Sequence, residues 1–396
     1  MYSYYHSLIV LSFVPLITTL ILNSGDPKNV LTTETIVRKH GYPFEKHTVQ
    51  TEDGYILEIH RIPNLKSSQV AFLMHCLLCS SSDWVVSGKK NSLAYILHRA
   101  GYDVWLGNAR GNTYSLNHTK YNPRGQFADK YWDFSWHEIG FIDLPTMLDY
   151  VQQKTGVTQM RYFAHSQGTA NFFVLTSLKP QYNKIFKSAH LLAPIAFLNN
   201  SFNIFLKVGG NIVGRSEVIQ TLLGSNEFRP SRKLQELVGS ILCTDFSRDR
   251  VLCDNAFFLV AGFTNETCNH DIIPEVMASS PAGSSLNQVL HFVQEFVSGH
   301  FRQYDHGLEG NMQTYGSSEP PDYPLANINV PMFFYHGKAD NFATVKDVLR
   351  LSKKLKTLVG RFESPIANFD HLAHMFSPNL AEKIHKYIMR DIALIN

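Results

Sequence analysis

The run MRYFAHSQGTANFFVLTSL, residues 160–178, decides the architecture. Residues 160–164 read as a buried strand and residues 167–178 as a helix, with Ser166 in the turn between them. A serine on a tight strand-to-helix turn is lifted above the end of a sheet. It needs small residues two before and two after it, because strand and helix approach closely there. Ala164 and Gly168 fill those places, with Ala164 standing where glycine is the commoner residue. Ser166 is therefore a candidate nucleophile; the competing reading is an ordinary helix N-cap.

Working outward, residues 48–61 (TVQTEDGYILEIHR) read as a hairpin turning at Asp53-Gly54. Residues 69–74 (QVAFLM) and 102–106 (YDVWL) read as buried strands, and residues 139–153 carry helical spacing that stops at Gly156. After a strand at 188–192 the alternation breaks. Residues 196–307 read as helical or irregular, and strands resume at 330–335 (VPMFFY). A helix near 344–355, a strand at 360–363 and a closing helix at 380–391 follow. Strands and helices alternating in this way predict an α/β fold, a mostly parallel sheet with helices on both faces. The break, about 110 residues long, exceeds any ordinary loop and predicts an inserted helical unit. The expected division is a core in two parts, 25–195 and 308–396, around an insertion at 196–307.

The chain has 396 residues, 44% of them hydrophobic and 17% charged, so it has ample apolar material for a core and disorder is excluded as its main state. Its 36 basic and 33 acidic residues leave a net charge of +3 with no basic run, which argues against a nucleic-acid partner. Residues 8–22 (LIVLSFVPLITTLIL) form an apolar run too short for a spanning helix and suited to a signal peptide, expected over 1–24. No later segment reads as membrane-spanning. Three N-x-[ST] sequons, at Asn117, Asn199 and Asn265, agree with export as a glycoprotein, either secreted or lysosomal.

A nucleophilic serine needs a base, and the base needs an orienting acid. Asp340 follows the strand VPMFFY, at the carboxyl edge of the sheet where sites gather, and His371 lies in NFDHLAHMF before the last helix. The order Ser166, Asp340, His371 fits the fold. Competing residues are Asp347, expected on a solvated helix face, together with Asp370 and His374. An oxyanion hole would take the Gln167 amide and a second amide from the loop after the third strand, residues 74–84, where Leu77 is placed to give it. His371 and His374 could share a metal, but no further ligands accompany them, and His137-Glu138-Ile139-Gly140-Phe141 lacks the second histidine of HExxH. No metal and no cofactor are expected.

With these residues in place the chain resembles the acid lipase family, which includes gastric and lysosomal acid lipases. The resemblance runs from about residue 30 to 390, through TEDGYILEIHRIP, LLCSSSDWV, AGYDVWLGNARGNTYSLNH, FSWHEIGFIDLPTMLDYV, AHSQGTANFF, SSPAGSS, FRQYDHG and HGKADNFATVKDV. It implies an α/β-hydrolase core with a cap and a movable lid. It also implies cofactor-free hydrolysis of lipid esters such as triacylglycerols or cholesteryl esters, often in acid, with transient contact at a lipid interface. It puts the nucleophile on Ser166, the acid on Asp340 and the base on His371, and it implies a disulfide between Cys243 and Cys253 in the cap. Cys76, Cys79 and Cys268 are left without obvious partners.

Three positions depart from the family pattern. Cys76 replaces the glycine of His-Gly-Leu, where glycine permits unusual backbone angles, so the loop is expected to be disturbed. Ala164 sits in the elbow. Ala373 stands where the catalytic loop usually has Asp. The alternative to a lipase is a lipid-binding relative with weakened or no catalysis. The apolar run 197–214 is read equally as a lipid-facing surface or as the interior of the cap.

Overall fold

The structure is a computed structural model that describes residues 31–211, 226–228 and 269–395. The apolar leader, Cys243, Cys253, Asn265 and Cys268 lie outside the described residues.

Helix α1 (Thr33–Lys39) precedes a hairpin of β1 (Glu45–Gln50) and β2 (Tyr55–Ile62) that turns at Gly54, whose φ of +103° suits glycine. Then come β3 (Val70–Met74), α2 (Leu93–Arg99), β4 (Asp103–Gly107) and a two-residue strand, β5 (Asn117–His118). Helix α3 (Leu144–Thr155) leads to β6 (Met160–His165), α4 (Gln167–Leu178) and β7 (Phe186–Leu192). After the break come β8 (Met332–His336), helix α8 (Val345–Ser352), β9 (Leu358–Glu363) and a final helix, α9 (Lys386–Ala393).

The nine strands form one sheet in the order β1-β2-β4-β3-β6-β7-β8-β9, with β5 added beside β2. Strand β2 runs antiparallel to β1 and β4, and every neighbour from β4 to β9 is parallel. Strands β3, β4, β6 and β8 are buried along their whole length, because helices cover both faces of a parallel sheet. Edge strand β1 instead alternates between half-buried and exposed, with Glu45, His47 and Val49 on its inner face.

The helix expected at 139–153 is interrupted. A turn at Trp136–Glu138 passes through a wide π-type turn at Ile139–Asp143 before α3 begins with Pro145 in its first turn. Proline has no N–H to donate, so the preceding hydrogen-bond ladder shifts register.

Between β7 and β8 the described residues add no strand. They form α5 (Ile204–Gly210), α6 (Ile273–Ser279), α7 (Leu286–Ser298) and a helix at Gly307–Tyr315. Gly209 of α5 lies so close to α7 that a Cβ there would sit 2.9 Å from a Val293 methyl. Phe197, Leu198, Phe205 and Leu206 are buried, while Phe202 is 53% exposed. The described part of the apolar run therefore faces mainly inward.

Candidate active site

The site is built where β3, β6 and β8 end. Ser166 follows β6 and adopts φ 54°, ψ −119°, the strained geometry of a serine on a sharp turn. Its N–H donates to Leu192 O at 3.0 Å. Its C=O accepts from the Thr169 N–H at 2.8 Å and from Thr169 Oγ1 at 2.6 Å, and Thr169 Oγ1 also accepts from the Ile195 N–H. A Cβ on Gly168 would lie 2.6 Å from Met74 O and 2.9 Å from His75 O, so only glycine lets α4 start against the end of β3. Ala164 is buried within β6 opposite Met74 and Leu191, so its methyl packs in the sheet without disturbing the turn.

The structure brings Ser166, His371 and Asp340 together. His371 Nε2 is 2.8 Å from Ser166 Oγ, and His371 Nδ1 lies 2.9 and 3.1 Å from the two Asp340 oxygens. With Nδ1–H donated to the carboxylate, the Nε2 lone pair faces the serine hydroxyl. Asp340 Oδ1 also accepts from the amides of Phe342 and Ala343, each at 2.8 Å. Burial alone would raise Asp340, but the His371 imidazole, by charge and hydrogen bond, and the Phe342 amide hold it below the usual carboxylate range.

The competing residues do other work. Asp347 is buried rather than solvated: it accepts from the Asn200 amide, the Asn200 side chain and Thr344 Oγ1, and so ties α8 to the segment after β7. Asp370 Oδ1 accepts from the Ala373 N–H at 2.8 Å, so a carboxylate before His371 braces the loop that lacks one after it. His374 is buried, and burial lowers its pKa to about 3, which keeps it neutral. His165, also buried and held neutral, has Nε2 within 2.9 Å of His371 O and so ties the end of β6 to the loop that carries His371.

The loop after β3 departs most from expectation. Cys76 and Cys79 are joined by a disulfide, so two of the three cysteines left unpaired in the sequence reading are each other's partners. Cys76 does not occupy the left-handed region; Leu78 does, at φ 62°. The position therefore does not need glycine for its backbone angles. The Leu77 and Gln167 amides donate to no acceptor among the described residues. The Gln167 N–H opens α4, where a helix has unpaired donors, and the Gly168 contact brings it beside the loop that carries Leu77.

A polar network missed in the sequence reading supports that loop. His75 Nε2 accepts from the Ala109 N–H at 3.0 Å, so Nδ1 carries the proton and donates to Cys76 O at 2.7 Å. Burial lowers His75 to about 4 and keeps it neutral for this role. Asn108 Oδ1 accepts from the Ser81 amide and from the Asn112 side chain, and Arg110, fully buried, pairs with Asp143 and Asp53. The run GNARGN was legible as a specific motif, but its task was not. From the stretch between β7 and β8, Ala282 N–H donates to Leu78 O at 2.7 Å, and Gln288 of α7 accepts from the Gln167 side chain.

Among the sequons, Asn117 and Asn199 are exposed, although Asn199 Oδ1 accepts from Arg350. No helix among the described residues is long and apolar enough to cross a membrane.

Comparison with known proteins gives the family and the fold. Residues 33–88 match the partial alpha/beta-hydrolase lipase region, and residues 72–378 match the alpha/beta hydrolase fold. Lipase 3 of Drosophila melanogaster is 41% identical over 362 residues, covering 90% of this chain and 91% of that one. The gastric triacylglycerol lipase of Homo sapiens is 34% identical over 382 residues, covering 94% and 93%. Among solved structures, an acetylester hydrolase from Corynebacterium glutamicum superposes with a TM-score of 0.54 at 14% identity, covering 91% of this chain and 98% of that one, a likeness of fold alone.

Proposed function

The chain belongs to the acid lipase family of α/β-hydrolases, and from that premise we propose that it is a serine hydrolase of lipid esters. The observation that carries the reading is the 2.8 Å contact between His371 Nε2 and a Ser166 Oγ presented on a left-handed turn. Ser166 Oγ attacks the ester carbonyl while His371 takes its proton, and Asp340 stabilises the imidazolium that forms. The amides of Leu77 and Gln167 receive the developing oxyanion. The alcohol leaves with the proton from His371. A water activated by the same base then releases the fatty acid from Ser166.

Residues 196–307 act as a cap over the site, with a disulfide between Cys243 and Cys253. The substrates are triacylglycerols or cholesteryl esters, met at a lipid interface. The apolar leader and the exposed sequons at Asn117 and Asn199, with Asn265, support a secreted or lysosomal glycoprotein.

The test is hydrolysis of p-nitrophenyl esters and emulsified triolein at pH 4 to 8. Ser166→Ala should lower kcat by about 10⁴-fold or more. Activity that survives in the variant overturns the assignment of Ser166. Lipid binding without turnover in either protein would mark a carrier.

A further inference from the structure

We infer that the Cys76–Cys79 disulfide is a covalent staple that sets the direction of the Leu77 amide, making the two cysteines positioning residues for the hydrolysis proposed above. The inference rests on that reading of the site.

The two cysteines are the first and last residues of a four-residue turn, closed by the Cys79 N–H on Cys76 O at 3.2 Å. Leu77 and Leu78 occupy its middle, with Leu78 at φ 62°, a strained angle for a residue with a branched side chain. The peptide joining Cys76 to Leu77 is a rigid plane, so the direction of the Cys76 carbonyl fixes the opposite direction of the Leu77 N–H. That carbonyl is held twice, by His75 Nδ1–H and by the Cys79 N–H. The Leu77 N–H bonds nothing among the described residues, which is what a donor reserved for an anion requires.

Because the Leu77 N–H stays unpaired, the turn is held by the two bonds to Cys76 O, by the Ala282 N–H on Leu78 O and by the disulfide. The disulfide closes it from the ends. Both cysteines are almost fully buried, so the bond is shielded in the folded protein. It forms when two thiols give up two protons and two electrons to the disulfide of an exchange partner, which leaves as a dithiol. Glycine at position 76 would remove this tie, so the cysteine helps activity rather than disturbing it.

The first test is direct. The tryptic peptide 67–89 contains both cysteines and no internal Lys or Arg. Cut from unreduced protein, it should be two hydrogens lighter than the dithiol and resist iodoacetamide until reduced; alkylation without reduction overturns the inference. The second test compares Cys76→Ala, Cys79→Ala and the double variant on p-nitrophenyl butyrate. Each should lose about 10- to 100-fold in kcat with KM within about twofold. The double variant should be no worse than either single, because either one removes the bond.

A trifluoromethyl ketone, which adds Ser166 Oγ and binds as an alkoxide, should weaken by the same factor. Unchanged or higher kcat, additive losses, or a change confined to KM each overturn the staple. If a variant lacks a cooperative thermal transition, Cys243→Ala/Cys253→Ala protein, which keeps the Cys76–Cys79 bond, is reduced with dithiothreitol instead: kcat must fall as the peptide becomes alkylatable and return on reoxidation. A wild-type protein no more active than Ser166→Ala would instead sink the reading of the site.

Discussion

The turns after β6 and after β3 lie side by side, Ala164 opposite Met74, and each forces a residue with a side chain into the left-handed region. They are held by different means. The turn at Ser166 is pinned by main-chain bonds to Leu192 and to its own helix, with one hydroxyl, Thr169, bridging to Ile195. The turn at Leu78 is suspended from a disulfide, a neutral imidazole and the Ala282 N–H. One is held by main-chain bonds to the end of β7; the other is held by side chains of its own loop and by one amide from beyond β7. On the proposed function, a nucleophile needs only to be presented, whereas an oxyanion donor must stay unpaired and still be aimed.

The strongest way to break this contrast is Gly168→Ala, because the added Cβ would press on Met74 O and His75 O and so strike both turns. It should lower kcat on a soluble ester by at least about 10²-fold, as losing an oxyanion donor does. A rate within about threefold of wild type would show that the turns can part freely. Thr169→Val strikes the elbow alone. Removing a buried hydroxyl that serves Ser166 O and the Ile195 N–H should cost about 1–3 kcal/mol in urea unfolding, with KM unchanged. An undiminished unfolding midpoint would make the main-chain bonds sufficient by themselves.

The smallest effect concerns pH. His75 sits at about 4 in the folded protein, below its ordinary 6.5, so its contribution is complete above 6.5 and is lost as pH falls through 4. A proton on Nε2 would displace the Ala109 N–H. His190, His336, His374 and His385, at about 3 to 4, carry the same sign. Buried Asp83, raised to about 7 by burial, and Glu295, raised well above its ordinary value, carry the opposite sign and lose stability as pH rises. Each histidine changes unfolding free energy by at most about 1.4 kcal/mol per pH unit in that window. Urea midpoints should therefore fall from pH 6.5 to 4, and less steeply in His75→Gln. A midpoint that rises toward pH 4 would mean the carboxylic acids outweigh the histidines.

The difference between the turns also explains what the sequence disclosed. Strands β3, β6 and β8 were legible because burial on both faces writes them as short apolar runs. Ser166 was legible because strand, small residues and helix sit together in one stretch. The order of Asp340 and His371 followed from their places after strands. Asp347 was misread as solvated because it lies in the first turn of an amphipathic helix, and nothing nearby in sequence shows that Asn200 returns to it. The Cys76–Cys79 pairing depends on a positive φ at a leucine, which that residue type does not advertise. The role of GNARGN was hidden because its partners, Asp53, His75 and Asp143, come from three separate segments.

The bond from Ala282 to Leu78 has a consequence for anyone who would shorten this protein. Trimming the stretch between β7 and β8 to make a smaller esterase would look harmless, since no strand of the sheet lies among its described residues. Yet Ala282 also accepts from the Thr113 N–H while it donates to Leu78, and so acts as a keystone between two loops of the core. A deletion that crosses residues 282–288, or that removes the hold of Asn200 on Asp347, would take away supports of both turns and of α8.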